Sequence, residues 1–299
     1  MRYLALLVAL TLPLTVAWGQ APESASLWRV AAAVLAVPPA LEAGPVAVAW
    51  NPAGTPSRER LSVAVQVIHT SAELGLSGIV AEVSTAVAAA STVGLVVGRL
   101  DVRDLVRTTT TPTAVGGSIP VYTQYAGVAG GTGYGPVYLG ALLRLHDERF
   151  DLATENGLTF DLGARVQMSR RLVVAAATHF LPIDLRRHTT TDYYVGVEYE
   201  LVSATSIGVT TAKVTGRYGA TYRSAEALEH GVSLGVSLAN ILRLDAAVTR
   251  EVGFERSALR TGMAVSLRAG RYLMEVARSS GLNDLGATYR IGIDAVILR

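Results

Sequence analysis

The chain has 299 residues, no Cys, and a formal net charge of +2; of its 26 Lys and Arg residues only Lys213 is a lysine. Charge this close to balance excludes nucleic acid as a partner, because phosphate binding needs a clustered basic surface. The absence of Cys excludes a disulfide scaffold and thiolate metal sites.

Arg2 precedes an apolar run from Leu4 to Ala17, and Ala17-Trp18-Gly19 sets small residues around a cleavage point near Gly19 or Gln20. That is the pattern of a secretory signal peptide over residues 1–19. The run is shorter than the ~20 residues a spanning helix needs. With no Cys at the cleavage point, a lipid-anchored lipoprotein is excluded. Residues 20–60 do not alternate. Leu27–Val34 is expected to form a short helix capped by Ser24 or Ser26, and Pro38-Pro39 stops it. An extended apolar piece, Val46–Trp50, then runs into Asn51-Pro52-Ala53-Gly54, a turn signal.

From Leu61 onward the pattern has period 2, the signature of strands with one apolar and one polar face. Leu61, Val63, Val65 and Val67 open it. Over residues 73–89 the apolar set changes phase near Gly78–Ile79, which is read as a bulge. Val93, Leu95 and Val97 mark a third strand. Residues 100–118 break the rhythm with two Asp-Arg neighbourhoods, four consecutive threonines and a Gly pair, and form the longest polar connection. Residues 119–129 and 134–146 are expected to make a hairpin around Gly130–Gly133.

The clearest strand is Gly157–Met168. Its even residues, Leu158 to Met168, are all apolar, and its odd residues include Thr159, Asp161, Arg165 and Gln167. It joins a strand at 172–180, followed by a polar loop at 181–190. Tyr193–Leu201 and the stretches around 213–223, 232–239, 242–249, 259–268, 271–279 and 285–298 keep the same beat.

About fifteen candidate strands of 8–13 residues with short connections suit strands crossing a bilayer at a tilt. The polar face mixes small residues with paired charges, for which Arg165/Asp161 and Arg243/Asp245 are the expected pairs. A lumen accepts such charges, whereas each would cost several kcal/mol facing lipid. Lipid also forbids open sheet edges, so the sheet must close. The expected fold is all-β: a transmembrane antiparallel β-barrel over 61–299 of about 14 strands, since bacterial barrels usually have an even number. Residues 20–60 are read either as a plain N-terminal arm or, the sharper expectation, as a plug packed inside the barrel. Soluble sandwiches and lipocalin-like barrels, with fewer strands or inward apolar faces, fit less well. Tyr122, Tyr138, Tyr193, Tyr199, Tyr222, Tyr272 and Tyr289 supply a thin aromatic belt.

No catalytic constellation is legible. Gly231-Val232-Ser233-Leu234-Gly235 matches a nucleophile pattern, but it lies inside a continuous strand and not at a strand-to-helix elbow. His69, His146, His179, His188 and His230 are scattered singles with no metal-ligand spacing. Gly131-Thr132-Gly133 lacks the strand–turn–helix setting of a phosphate loop. No enzyme, cofactor or metal is expected.

The combination of a leader, Trp50-Asn51-Pro52-Ala53-Gly54 before the first strand, the polar run Asp101–Thr110 and the closing stretch Gly281–Gly292 resembles one outer-membrane family. It includes the long-chain fatty-acid channel and the type IX secretion shuttle barrels. The run before Asn-Pro-Ala is reduced here to Ala43-Gly44-Pro45, and the chain is short for the fatty-acid channel itself. The resemblance implies fourteen strands, outer-membrane location among outer-membrane lipids, and passage of a fatty acid or other hydrophobic small molecule. In that reading Trp28, Trp50, Asn51 and Pro52 form the plug and constriction, and the broken alternation makes Gly78–Ile79 the lateral-gate candidate. A second reading makes the barrel a platform whose loop residues Arg103, Asp104 and Arg107 bind a secreted or periplasmic protein.

Overall fold

The computed structural model describes residues 23–54, 61–72, 74–106, 117–183, 191–207, 210–223, 228–252, 257–280 and 286–298. The leader expected over residues 1–19 and Arg107 lie outside these.

Among the described residues fourteen antiparallel strands close into one barrel, each paired to its chain neighbours and β1 to β14. They are β1 (Leu61–Thr70), β2 (Leu76–Ala88), β3 (Ser91–Val102), β4 (Val121–Tyr134), β5 (Val137–Phe150), β6 (Ala153–Gln167) and β7 (Leu172–Pro182). The second half is β8 (Asp192–Ile207), β9 (Thr210–Arg223), β10 (Glu229–Leu238), β11 (Leu242–Val252), β12 (Ser257–Ala269), β13 (Tyr272–Ser279) and β14 (Thr288–Leu298). Strand number and antiparallel closure are as expected. The two ends of the barrel differ. Joins such as 89–90, 135–136, 239–241 and 270–271 are tight and share one end with the start of β1. The connections numbered 103–120, 183–191 and 280–287 join strands at the other end.

Alternation does what the sequence pattern requires. In β6, Leu158 and Leu162 face outward and are exposed, while Thr159, Asp161 and Gly163 face inward and are buried. Exposed Val67, Leu95, Leu143, Val195, Val265 and Ile291 carry the same apolar outer face around the wall.

Expectations for β2, for the β4–β5 turn and for the helix need correction. The phase change at Gly78–Ile79 is no bulge, because β2 holds unbroken register with β1 through Ile68↔Gly78 and with β3 through Gly78↔Leu100. Both faces of β2 are apolar there: Ile79 and Val83 point out, while Leu76 and Val80 point in against an apolar cluster. Within β2 the pairing with β3 shifts only farther on, between Ala86 and Ala88, and β6 and β7 also slip, between Phe160 and Leu162. There His179 and Phe180 are both buried and Phe180 has φ 60°. Second, β4 and β5 turn at Gly135-Pro136 and not at Gly130–Gly133, which lies within β4. Gly135 supplies the positive φ of 58° that the turn needs. Third, the helix, α1, spans Glu23–Ala33, so Ser24 and Ser26 lie within its span and not ahead of it.

The N-terminal segment runs inside the barrel. After α1 come three short 3-10 turns, Pro39–Leu41, Pro45–Ala49 and Pro52–Gly54, the second of them standing where an extended piece was expected over Val46–Trp50. Each begins at a proline, whose fixed φ and missing N–H suit a helical first position.

Candidate functional site

The site is the lumen where the segment 23–54 meets the wall. Its largest contact is apolar: Trp28, Ala31, Ala32, Leu35, Val48 and Trp50 pack on inward residues of β1 to β5 and on Phe180 of β7. Trp28 is 3% exposed, donates from Nε1 to Thr123 Oγ1 at 3.2 Å, and lies 4.8 Å from the Tyr125 ring. The chain then crosses to the far side, where Val34 and Ala36 meet Ala264 and Ala277. Ala40 and Leu41 return to the wall at Ala175, Ala177 and Tyr194.

Glycines make this close approach possible. Gly131, Gly140 and Gly163 form one cross-strand row on β4, β5 and β6. The Asn51-Pro52-Ala53 backbone lies directly on that row, so a Cβ at Gly163 would sit 2.8 Å from Ala53 N, and one at Gly140 would enter the Pro52–Ala53 peptide. A second row, Ala175–Gly196–Gly219, crosses β7, β8 and β9. There a Cβ at Gly196 would meet Leu41 Cγ at 2.6 Å, and one at Gly219 would meet Pro38 Cβ at 2.6 Å. A missing Cβ is what lets another backbone approach a strand.

The plug's free carbonyls are taken up by the wall. Arg144 Nη2 donates to Ala49 O at 2.9 Å and Arg165 Nη1 to Leu41 O at 3.1 Å. His179 Nε2 is hydrogen-bonded to Trp50 O. The pair expected between Arg165 and Asp161 does not form: Asp161 ion-pairs with Arg144 and accepts from the Phe180 N–H at 3.0 Å. With Arg165 turned to the plug, the nearer guanidinium neutralises the fully buried carboxylate. Arg243 and Asp245 do pair, at 2.6 Å, and Arg217 joins them through Asp245 at 2.8 Å. On the plug, Glu42 reaches Arg290 at 3.5 Å, and Arg290 is shared with Glu275. Burial pushes the Glu42 carboxyl above the usual carboxylate range, against the pull of Arg290.

Asn51, fully buried, fixes the turn. Its Nδ2 donates to Ala40 O at 2.5 Å, and its Oδ1 accepts from the Ala53 N–H at 3.0 Å. One side chain thus ties two stretches of plug together. Asn51→Ala strands a buried carbonyl and a buried N–H, an expected loss of about 1–3 kcal/mol for each unsatisfied group. Limited proteolysis in mild detergent should cleave this variant within 23–54 while the parent stays intact.

Trp28, Trp50, Asn51 and Pro52 are therefore brought together in the lumen. Gly78 and Ile79 lie in β2, with Ile79 on the outer face. Arg103 and Asp104 are exposed at the loop end, far along the chain from the plug. The sequence reading missed Arg144, His179 and the glycine rows. Gly131, Gly140 and Gly163 were legible only as small residues, since cross-strand register is needed to align them.

Open space remains beside the plug. A cavity of about 60 Å³ toward the loop end borders Val37, Arg223, Glu229 and Ser233. A second, of about 420 Å³ toward the tight-turn end, borders Val37, Glu42, Arg243, Glu275, Arg290 and Asp294. Val37 lies between them.

These features define a fourteen-strand β-barrel with an internal N-terminal plug. No protein-family model and no curated protein sequence matches the chain. Among solved structures it is similar to the toluene transporter TodX of Pseudomonas putida, with TM-score 0.53 and 10% identity, over 87% of this chain and 96% of that one. It is also similar to a TodX deltaS2S3 mutant, described as a monoaromatic hydrocarbon channel, with TM-score 0.54 and 11% identity over 84% and 93%. A mutant of the Rh. blastica porin aligns at TM-score 0.43 and 11% identity over 79% and 98%. At such identities the likeness to TodX is one of fold. The barrel and fold expected from the fatty-acid-channel resemblance are present, and the comparisons bring no support for the secretion-shuttle branch.

Proposed function

We propose that this chain is an outer-membrane channel closed by its own N-terminal segment and that it passes small hydrophobic molecules. The observation that carries the reading is the plug. Residues 27–54 put an apolar cluster inside a wall that elsewhere faces inward with Arg, Asp and Glu. An apolar lining in a lumen is a binding surface for apolar cargo once the plug shifts. TodX, of similar fold, is described as a toluene transporter.

The outer face supports placement in a membrane. Tyr199 and Tyr272 are exposed near the tight-turn end, and Tyr222 and Tyr289 near the loop end, with the apolar residues between them. On the outer face above this band, Arg99, Asp101, Gln124 and Asp147 are linked by hydrogen bonds, among them Arg99 Nη1 to Gln124 Oε1 at 2.7 Å. A charged cluster on the outside marks wall that stands clear of lipid. Tight turns face the periplasm in barrels of this kind and longer loops face outward.

Deleting residues 21–56 is expected to raise small-solute leakage through the barrel in liposomes to at least about tenfold that of the parent, as an open fourteen-strand wall encloses an aqueous lumen. Liposomes as tight as those holding the parent would end the plug reading. Uptake of toluene against a sugar of similar size, by the parent in the same liposomes, tests the cargo class. Equal rates for both would remove the hydrophobic preference.

A further inference from the structure

The 420 Å³ cavity at the tight-turn end is lined by charge, unlike the cluster that holds the plug. Six of its side chains are ionisable: Glu42, Arg243, Arg268, Glu275, Arg290 and Asp294. Four have partners. Arg290 holds Glu275 and Glu42, and Arg243 holds Asp245. Arg268 and Asp294 make no ion pair or side-chain hydrogen bond among the described residues.

The register places these two unspent charges opposite one another. Arg268 on β12 pairs with Leu273 on β13, which pairs with Asp294 on β14. They share one cross-strand row, two strand spacings apart, a backbone separation of roughly 10 Å. Gln66 on β1 pairs with Gly292, two residues from Asp294 and on the same inward face. Its side chain lines the cavity and is 4% exposed, and its Oε1 has no hydrogen-bond partner. A buried carbonyl left in that state costs free energy that a donor from a ligand recovers.

We propose that this cavity binds a small zwitterion, its ammonium against Asp294 and Gln66 and its carboxylate against Arg268. Ammonium offers three donors, matching one carboxylate and one amide oxygen. A guanidinium takes a carboxylate through paired N–H bonds. A dipeptide reaches about 7 Å end to end, which fits the row once both side chains lean inward. A metal ion fits less well, since no three His, Asp or Glu among the described residues are grouped to hold one. The inference stands on the side chains of this cavity and is independent of the hydrophobic cargo proposed for the plug side.

The test is calorimetric titration of the full chain in mild detergent with glycylglycine, N-acetylglycylglycine and glycylglycine amide. Glycylglycine should bind, and removing either terminal charge from the probe should weaken binding by about tenfold or more, the scale of one charge-assisted contact. Asp294→Asn should abolish the penalty for acetylation, and Arg268→Gln the penalty for amidation. Equal binding of all three probes, or no heat with any of them, overturns the proposal, and that comparison on the parent protein holds even where a variant fails to fold. Hydrocarbon uptake in liposomes reports separately on the channel reading, so the failure of one leaves the other measurable.

Discussion

Gly140→Ala is expected to expel the plug. Its single added methyl would occupy the Pro52–Ala53 peptide, and backbone cannot rotate aside as a flexible side chain does. Overpacking of ordinary side chains costs about 1–3 kcal/mol. Here the displaced group is a turn whose own buried hydrogen bonds run through Asn51, so the loss is cooperative. Gly163→Ala meets Ala53 N from the next strand and should act the same way. Gly130→Ala is the matched control: it is one residue from Gly131 in the same strand, and nothing lies within 4 Å of its added Cβ. The two lumen variants should leak small solutes from liposomes and lose protection of 23–54 against protease, while Gly130→Ala behaves like the parent. Gly140→Ala as tight as the parent would mean that the plug does not rest on this row in the membrane.

These glycines also show what was and was not legible in the sequence. Outward alternation could be read directly, because lipid demands one unbroken apolar face and every strand supplies it. The inward face carried no such rule. Where the plug presses on β2 and β3, the inward residues Leu76, Val80, Val96 and Leu100 are apolar too, and period 2 fades into a continuous hydrophobic run. That erased the contrast near Gly78–Ile79 and imitated a bulge. A glycine cluster in sequence, 130–133, likewise reads as a turn, although one of its members is there to admit Pro52. Asn51-Pro52-Ala53 announced a turn correctly. Its seat could not be found without knowing that β4, β5 and β6 bring Gly131, Gly140 and Gly163 into register. The pairing of charges failed for a similar reason. Arg165 and Asp161 are four residues apart on one strand, but a lumen charge chooses among neighbours on three strands and the plug.

Arg144 provides the other large effect. It is 1% exposed, ion-paired to a fully buried Asp161, stacked 4.5 Å from the Tyr125 ring centroid, and bonded to the plug at Ala49 O. Arg144→Ala leaves the Asp161 carboxylate inside the lumen without its cation, and breaking such a pair from one side costs about 3–5 kcal/mol. The thermal midpoint in detergent should fall clearly, and protection of residues 23–54 should fall with it. Asp161→Asn separates the two roles. It removes the charge that Arg144 neutralises and leaves the guanidinium free to keep its bond to Ala49 O. If the pair mainly stabilises the wall, Asp161→Asn should lower the midpoint while the plug stays protected. If it mainly docks the plug, the two variants should lose plug protection together. A double variant, Arg144→Met with Asp161→Asn, tests the pair itself: removing both charges should recover much of the midpoint, since an apolar replacement for a buried pair is often neutral. It should not recover plug protection, because no donor then remains for Ala49 O. A double variant with both properties restored would show that Arg144 holds the wall alone and that Asn51, His179 and the glycine rows suffice to seat the plug.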